Sequence, residues 1–161
     1  MLELEVVEAD LTRVADQEAV VTLLDAYSRD PMGNGAPLPP EVKSALIPGL
    51  REHPTTLVFL ARFGDDYAGV AVCFRGFSTF AARPLINIHD LAVAPEHRGR
   101  GVGRRLLTAI ADKGRALGCC KLTLEVLENN QRARRIYEAA GFSQAVYRQE
   151  SGGAVFMSKP L

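Results

Sequence analysis

The chain has 161 residues, 47% of them apolar, and its 19 Lys and Arg are matched by 19 Asp and Glu. That length and apolar share suit one globular domain, 1–161, with a real core, and the balanced charge removes any overall pull toward nucleic acid or an anionic membrane. Met1-Leu2-Glu3-Leu4-Glu5 lacks a basic region followed by an apolar core, and no apolar run approaches the ~20 residues that span a bilayer, so a cytoplasmic protein without membrane partner is expected. Cys73, Cys119 and Cys120 are an odd number without zinc spacing, and His53, His89 and His97 supply no CxxC partner pattern; the reading is reduced thiols and no metal.

Residues 2–7 alternate apolar and acidic, which suits a half-buried strand. Asp10, Thr12 and Asp16 are candidate caps of a helix whose apolar face is Val20, Leu23, Leu24 and Tyr27 and which ends near Ser28. Residues 29–40 hold Pro31, Gly33, Gly35, Pro37, Pro39 and Pro40, too many breakers for regular structure, so they form a loop that is either a lid or surface slack. A second helix starts at Glu41 and is broken or kinked at Pro48-Gly49. Residues 55–62 and 67–77 read as a hairpin around Gly64-Asp65-Asp66. Phe74, Phe77 and Phe80 are read first as core, with an acceptor pocket as the alternative.

Residues 85–94 make the next strand, with an irregular rhythm. Ile86 and Ile88 are even-numbered while Leu91 and Val93 are odd, so the period-2 phase slips across His89-Asp90. A β-bulge would absorb the slip, and bulges re-aim side chains beside active sites. Leu107, Ile110, Gly114 and Leu117 then recur at helical spacing up to Gly118, and residues 121–126 form a strand, which suggests a parallel βαβ unit. Asn129 or Asn130 caps a last helix with Ala133, Ile136, Tyr137 and Ala140 on its inner face, stopped by Gly141. Residues 142–149 and 154–158 read as a closing hairpin around Ser151-Gly152-Gly153.

Between strand and helix lies Pro95-Glu96-His97-Arg98-Gly99-Arg100-Gly101-Val102-Gly103-Arg104-Arg105. Glycines at such a junction let backbone approach a ligand, and the unpaired amides and dipole of the following helix suit phosphate oxygens. A Gly-x-Gly-x-x-Gly dinucleotide fingerprint fails in both registers, because Arg104 or Leu106 falls in the last place. A P-loop fails because Gly103 is followed by Arg104 and Arg105. Arg98, Gly101 and Gly103, after a strand ending Leu-x-Val, resemble the Arg/Gln-x-x-Gly-x-Gly/Ala loop of the GNAT superfamily of acetyl-CoA-dependent N-acetyltransferases. Asn130-x-x-Ala133, Tyr137 and Gly141-Phe142 resemble that family's second motif. The likeness is close over residues 87–142 and loose elsewhere.

The resemblance implies an α/β (α+β) single-domain fold with a mixed, mostly antiparallel sheet of six to seven strands and helices on both faces. It implies a splay between the strands 85–94 and 121–126 that takes the pantetheine arm of acetyl-CoA. Amides of Arg98, Gly99, Arg100, Gly101, Val102, Gly103 and Arg104 would hold the pyrophosphate, and backbone groups of Leu91 and Val93 would pair with the arm. Asn130 and Ala133 would meet the cofactor from the second motif. The implied function is acetyl transfer from acetyl-CoA to a primary amine of a small-molecule or amino-acid-like acceptor, by direct attack in a ternary complex. A protein or peptide amine is the alternative acceptor. A non-catalytic acyl-CoA-binding regulatory domain and, more remotely, an unrelated nucleotide-phosphate binder are the rivals. No nucleic-acid partner is expected, and a homodimer is left open.

Tyr137 is the candidate acid for the departing thiolate, since a phenol with pKa near 10 is protonated at neutral pH. For the base, many relatives place a glutamate on the strand before the loop, but here the stretch is Asn87-Ile88-His89-Asp90, and an amide accepts no proton in this range. His89 is favoured because imidazole ordinarily titrates near pH 6.5. Asp90 either orients His89 or attracts the cationic acceptor.

Overall fold

The acidic and apolar alternation near the N-terminus forms strand β1 (Leu4–Glu8) in the computed structural model of the protein, which describes residues 2–161. Asp10 closes a turn ahead of helix α1 (Val14–Arg29), accepting the Thr12 amide at 2.9 Å. Buried Asp16 takes the Asp10 amide at 2.8 Å and the Tyr67 hydroxyl at 2.7 Å, so it ties the helix to the sheet rather than capping it. Helix α2 (Pro40–Glu52) opens on a proline and, contrary to expectation, continues through Pro48. A proline costs an interior helix its own amide bond, and here Ile47 and Leu50 on either side are buried and hold the last turn in place.

The breaker-rich loop before α2 is stapled down. Ser28 donates to the Ala36 carbonyl at 2.8 Å, and Asp25 accepts the Leu38 amide at 2.8 Å while pairing with Lys43 and Arg29, each at 3.0 Å. The ammonium of Lys43 is the largest influence holding the Asp25 carboxyl down at about 2.

Strands β2 (Thr56–Phe63), β3 (Asp66–Ser78) and β4 (Arg83–Val93) extend the sheet antiparallel from β1, and β5 (Leu122–Leu124) adds in parallel, in the order β1-β2-β3-β4-β5. Val20, Leu23 and Leu24 of α1 and Ile47 and Leu50 of α2 form a core with Val58, Leu60, Val70, Val72 and Ala92 on one face. Helix α3 (Val102–Ala116) covers the other face. A Cβ built on Gly69 would lie 2.9 Å from Val102 of α3 and 2.9 Å from the Ala92 carbonyl oxygen, so β3 must be glycine there for the helix to seat. The β3–β4 ribbon runs on beyond Phe74, the last β3 residue paired with β2. With no layer over that extension, Phe77 and Phe80 are 62% and 94% exposed rather than core.

The chain divides into two compact units, one ending at Leu124 and one comprising Glu125–Leu161. The second contains helix α4 (Gln131–Ala139), none of whose residues is buried; of the expected inner face, Ala133 and Tyr137 are half-buried while Ile136 and Ala140 are exposed. The expected closing hairpin reduces to one bridge between Val146 and Gly153, so the sheet has five strands rather than six or seven. A strand is stabilised by its ladder and a buried face, and Tyr147, Val155, Phe156 and Met157 bury neither. No helix among the described residues is long and apolar enough to cross a membrane.

Candidate active site

The phase slip on β4 is a bulge. Val72 of β3 faces Asp90 while the next residue, Cys73, faces Ile88, which leaves His89 as the extra residue. One consequence is a change of face: Ile86 and Ile88 lie on the α3 side of the sheet, whereas Asp90 shares a face with Val72 and so with the α1–α2 core. A second is the end of the parallel ladder, because β4 pairs with β5 only over residues 86–88. Asn87 donates to Thr123 Oγ1 at 3.1 Å across the last paired rungs, which gives a structural use to the amide found where many relatives carry glutamate. From His89 onward β4 has no strand neighbour on that side among the described residues.

Asp90 is half-buried, and its carboxylate has no hydrogen bond or ion pair among the described residues. Burial pushes its carboxyl above the ordinary carboxylate range, and His89 beside it pulls the other way. Tyr27, at the end of α1, feels the same site: burial, then Asp90, then Asp30 push its phenol up. The Cys73 thiol is driven up to about 12 by burial, with Asp90 adding to it, so it stays protonated and is no nucleophile at neutral pH. His89 is exposed, and its ring lies 5.6 Å from that of Phe74.

After β4 a short 3-10 turn (Pro95–His97) leads into Gly99 and Gly101, both left-handed at φ 76° and 80°. No atom lies within 4 Å of a Cβ built at either, so these glycines serve backbone conformation and leave open space in front of the loop. The amides of residues 99–104 find no acceptor among the described residues; the first bonded one is Arg105, 3.0 Å from the Gly101 carbonyl. These N–H groups stand at the positive end of α3, where unpaired donors and the helix dipole suit an anion.

The four arginines of the loop and the first turn of α3 are placed in different ways. The Arg98 amide is bonded to the Pro95 carbonyl, and its guanidinium spans the Val93 carbonyl at 3.3 Å and Asp30 at 2.8 Å. Arg100 lies 3.9 Å above the Phe63 ring with Nη1 2.9 Å from His97 Nδ1. Buried His97 places Nε2 3.0 Å from Asp66, so the network assigns the proton to Nε2 and leaves Nδ1 to accept from Arg100. Arg104 and Arg105 are exposed. Two arginines therefore brace the loop through contacts with the rest of the fold. The pairings of His97 with Asp66, Asp30 with Arg98 and Phe63 with Arg100 were not legible in the sequence, because each joins residues more than thirty positions apart.

In the second unit Asn130 is the cap of α4, accepting the Ala133 amide at 3.2 Å. Gly141 at φ 93° reverses the chain so that the Phe142 amide bonds the Tyr137 carbonyl at 3.0 Å and the two rings stand 6.0 Å apart.

The model of the acetyltransferase (GNAT) family matches residues 20–142. The chain belongs to that family of acyltransferases. It is 37% identical to streptothricin acetyltransferase of Streptomyces lavendulae over 118 residues, 68% of this chain and 60% of that protein. It is 35% identical to the thialysine N-epsilon-acetyltransferase of Bos taurus over 78 residues, 48% of this chain and 45% of that protein. The matched segments thus span about half to three fifths of these relatives. The solved structure of aminoglycoside N-acetyltransferase AAC(6')-Iy in complex with CoA shares the fold at a TM-score of 0.76 and 17% identity, covering 100% of this chain and 97% of that one.

Proposed function

We propose that this chain is an acetyl-CoA-dependent N-acetyltransferase that acetylates the primary amine of a small-molecule or amino-acid-like acceptor in a ternary complex, in the cytoplasm. The observation that carries the reading is the row of unbonded amides at residues 99–104, directly after a bulged strand whose ladder to β5 has just ended. Such a cradle fits a diphosphate, and the open edge of β4 beyond the bulge fits an extended arm with amide groups. Bound there, acetyl-CoA supplies an acetyl group activated as a thioester.

The amides of Gly99, Arg100, Gly101, Val102, Gly103 and Arg104 hold the diphosphate, Arg98 braces the loop, and backbone groups of Leu91 and Val93 take the arm. Asn130 and Ala133 add cofactor contacts from α4. Asp90 attracts the acceptor ammonium, His89 takes its proton, and Tyr137 returns a proton to the departing thiolate. The relatives named for thialysine and streptothricin support a small-molecule amine over a protein acceptor. The test is release of free thiol from acetyl-CoA across a panel of amines. Amine-dependent release is expected; cofactor binding without it would make the chain an acyl-CoA-binding domain instead.

A further inference from the structure

Beside the bulge, three rings meet on the α1–α2 face of the sheet. Phe74 of β3 is half-buried; the His53 ring, at the end of α2, lies 4.9 Å from it at 52°, and the His89 ring lies 5.6 Å from it at 68°. Both histidines are exposed, so the row is not simply core. The His53 ring is also oriented, with the Thr55 amide 3.4 Å and the Thr55 hydroxyl 3.3 Å from Nδ1. Aromatic groups prefer tilted and edge-to-face neighbours, and a fourth flat ring laid on such a floor finds them preformed.

On the same face the Asp90 carboxylate stands without a partner among the described residues. Asp90 has no ion pair, whereas Asp30, the other carboxylate that acts on Tyr27, already holds Arg98 at 2.8 Å and the Met32 amide at 2.9 Å. One carboxylate answers one ammonium. Strand β4 contributes no second carboxylate, so a second ammonium on the acceptor would have no counter-charge from it.

Resting on the acetyl-transfer reading above, we infer that the acceptor is a monocationic primary amine carrying a flat aromatic ring, with the ring on the His53–Phe74–His89 floor and the ammonium at Asp90. Phe74 and His53 are then specificity-determining residues.

The experiment compares kcat/KM for phenethylamine, n-hexylamine and the diamine cadaverine. Phenethylamine should exceed n-hexylamine by about three- to tenfold, the stacking gain of one aromatic pair, chiefly through KM, and cadaverine should be the poorest. Phe74→Leu and, at an exposed position where folding is not at stake, His53→Ala should each bring the phenethylamine-to-hexylamine ratio toward one, while Phe74→Tyr should retain it. Equal or better use of n-hexylamine or cadaverine, or a ratio unmoved in both truncations, overturns the aromatic acceptor while leaving acetyl transfer standing. No amine-dependent thiol release with any of the amines would remove the transfer reading and this inference together.

Discussion

The bulge at His89 turns Asp90 toward the α1 side, where burial pushes its carboxyl above the ordinary range. A carboxyl whose folded pKa is raised holds its proton more tightly in the native state. Its contribution to stability is present below the unfolded pKa, near 3.9, and is lost as pH rises through the folded value. At neutral pH Asp90 therefore costs stability relative to acid pH, and Asp90→Asn should raise Tm at pH 7 but not at pH 3. The same substitution removes the partner of the acceptor ammonium and should lower kcat/KM for the amine roughly 10- to 100-fold, the worth of a hydrogen bond to a charged group. Scanning calorimetry beside amine kinetics checks both; a stabilised variant with unaltered kcat/KM would take Asp90 out of the site. Tyr137→Phe removes only a hydroxyl and should reduce kcat by about 100-fold while leaving the dissociation constant of acetyl-CoA within about twofold. Steady-state turnover and calorimetric titration distinguish that outcome from a tyrosine that merely packs on Phe142.

Among the elements, the glycine loop and helix α3 depend on two glycines for different reasons. Gly101 needs its φ of 80°, and no protein atom lies near its Cβ position. A β-branched residue there should cost about 1–2 kcal/mol of strain and disturb the amide row, so Gly101→Val should bind acetyl-CoA too weakly to detect by calorimetry while the protein stays folded. Equal binding by both proteins would misplace the cradle. Gly69 is needed for space, since an added Cβ meets the Ala92 carbonyl oxygen, a backbone atom that cannot step aside. Gly69→Ala should destabilise by about 1–3 kcal/mol, read as a lower urea midpoint at unchanged slope. The first glycine was legible in the sequence from its place between strand and helix. The second was not, because its reason is a helix more than thirty residues away. Likewise the bulge was legible as a slip in an alternating pattern, whereas the passage of α2 through Pro48 depended on burial of Ile47 and Leu50 beneath it.

For the whole molecule, a ligand that binds only the native state stabilises it by mass action. Acetyl-CoA at about 100 times its dissociation constant should add about 2.7 kcal/mol and raise Tm in a concentration-dependent way. A Tm indifferent to acetyl-CoA would argue against the cradle. What the residues by themselves determined about this protein is local: turn chemistry at Gly99 and Gly101, the slipped phase at His89-Asp90, a helix cap at Asn129 or Asn130 and the two family motifs. Each is written in spacings of a few residues, where backbone conformation and periodicity act directly. Only the tertiary structure decided that Arg98 and Arg100 brace the loop through Asp30 and Phe63, that Asp90 stands half-buried near Tyr27, and that Phe77, Phe80 and the apolar segment after Phe142 stay exposed. Burial and pairing are properties of what another part of the chain brings alongside, and no window of local sequence contains that partner.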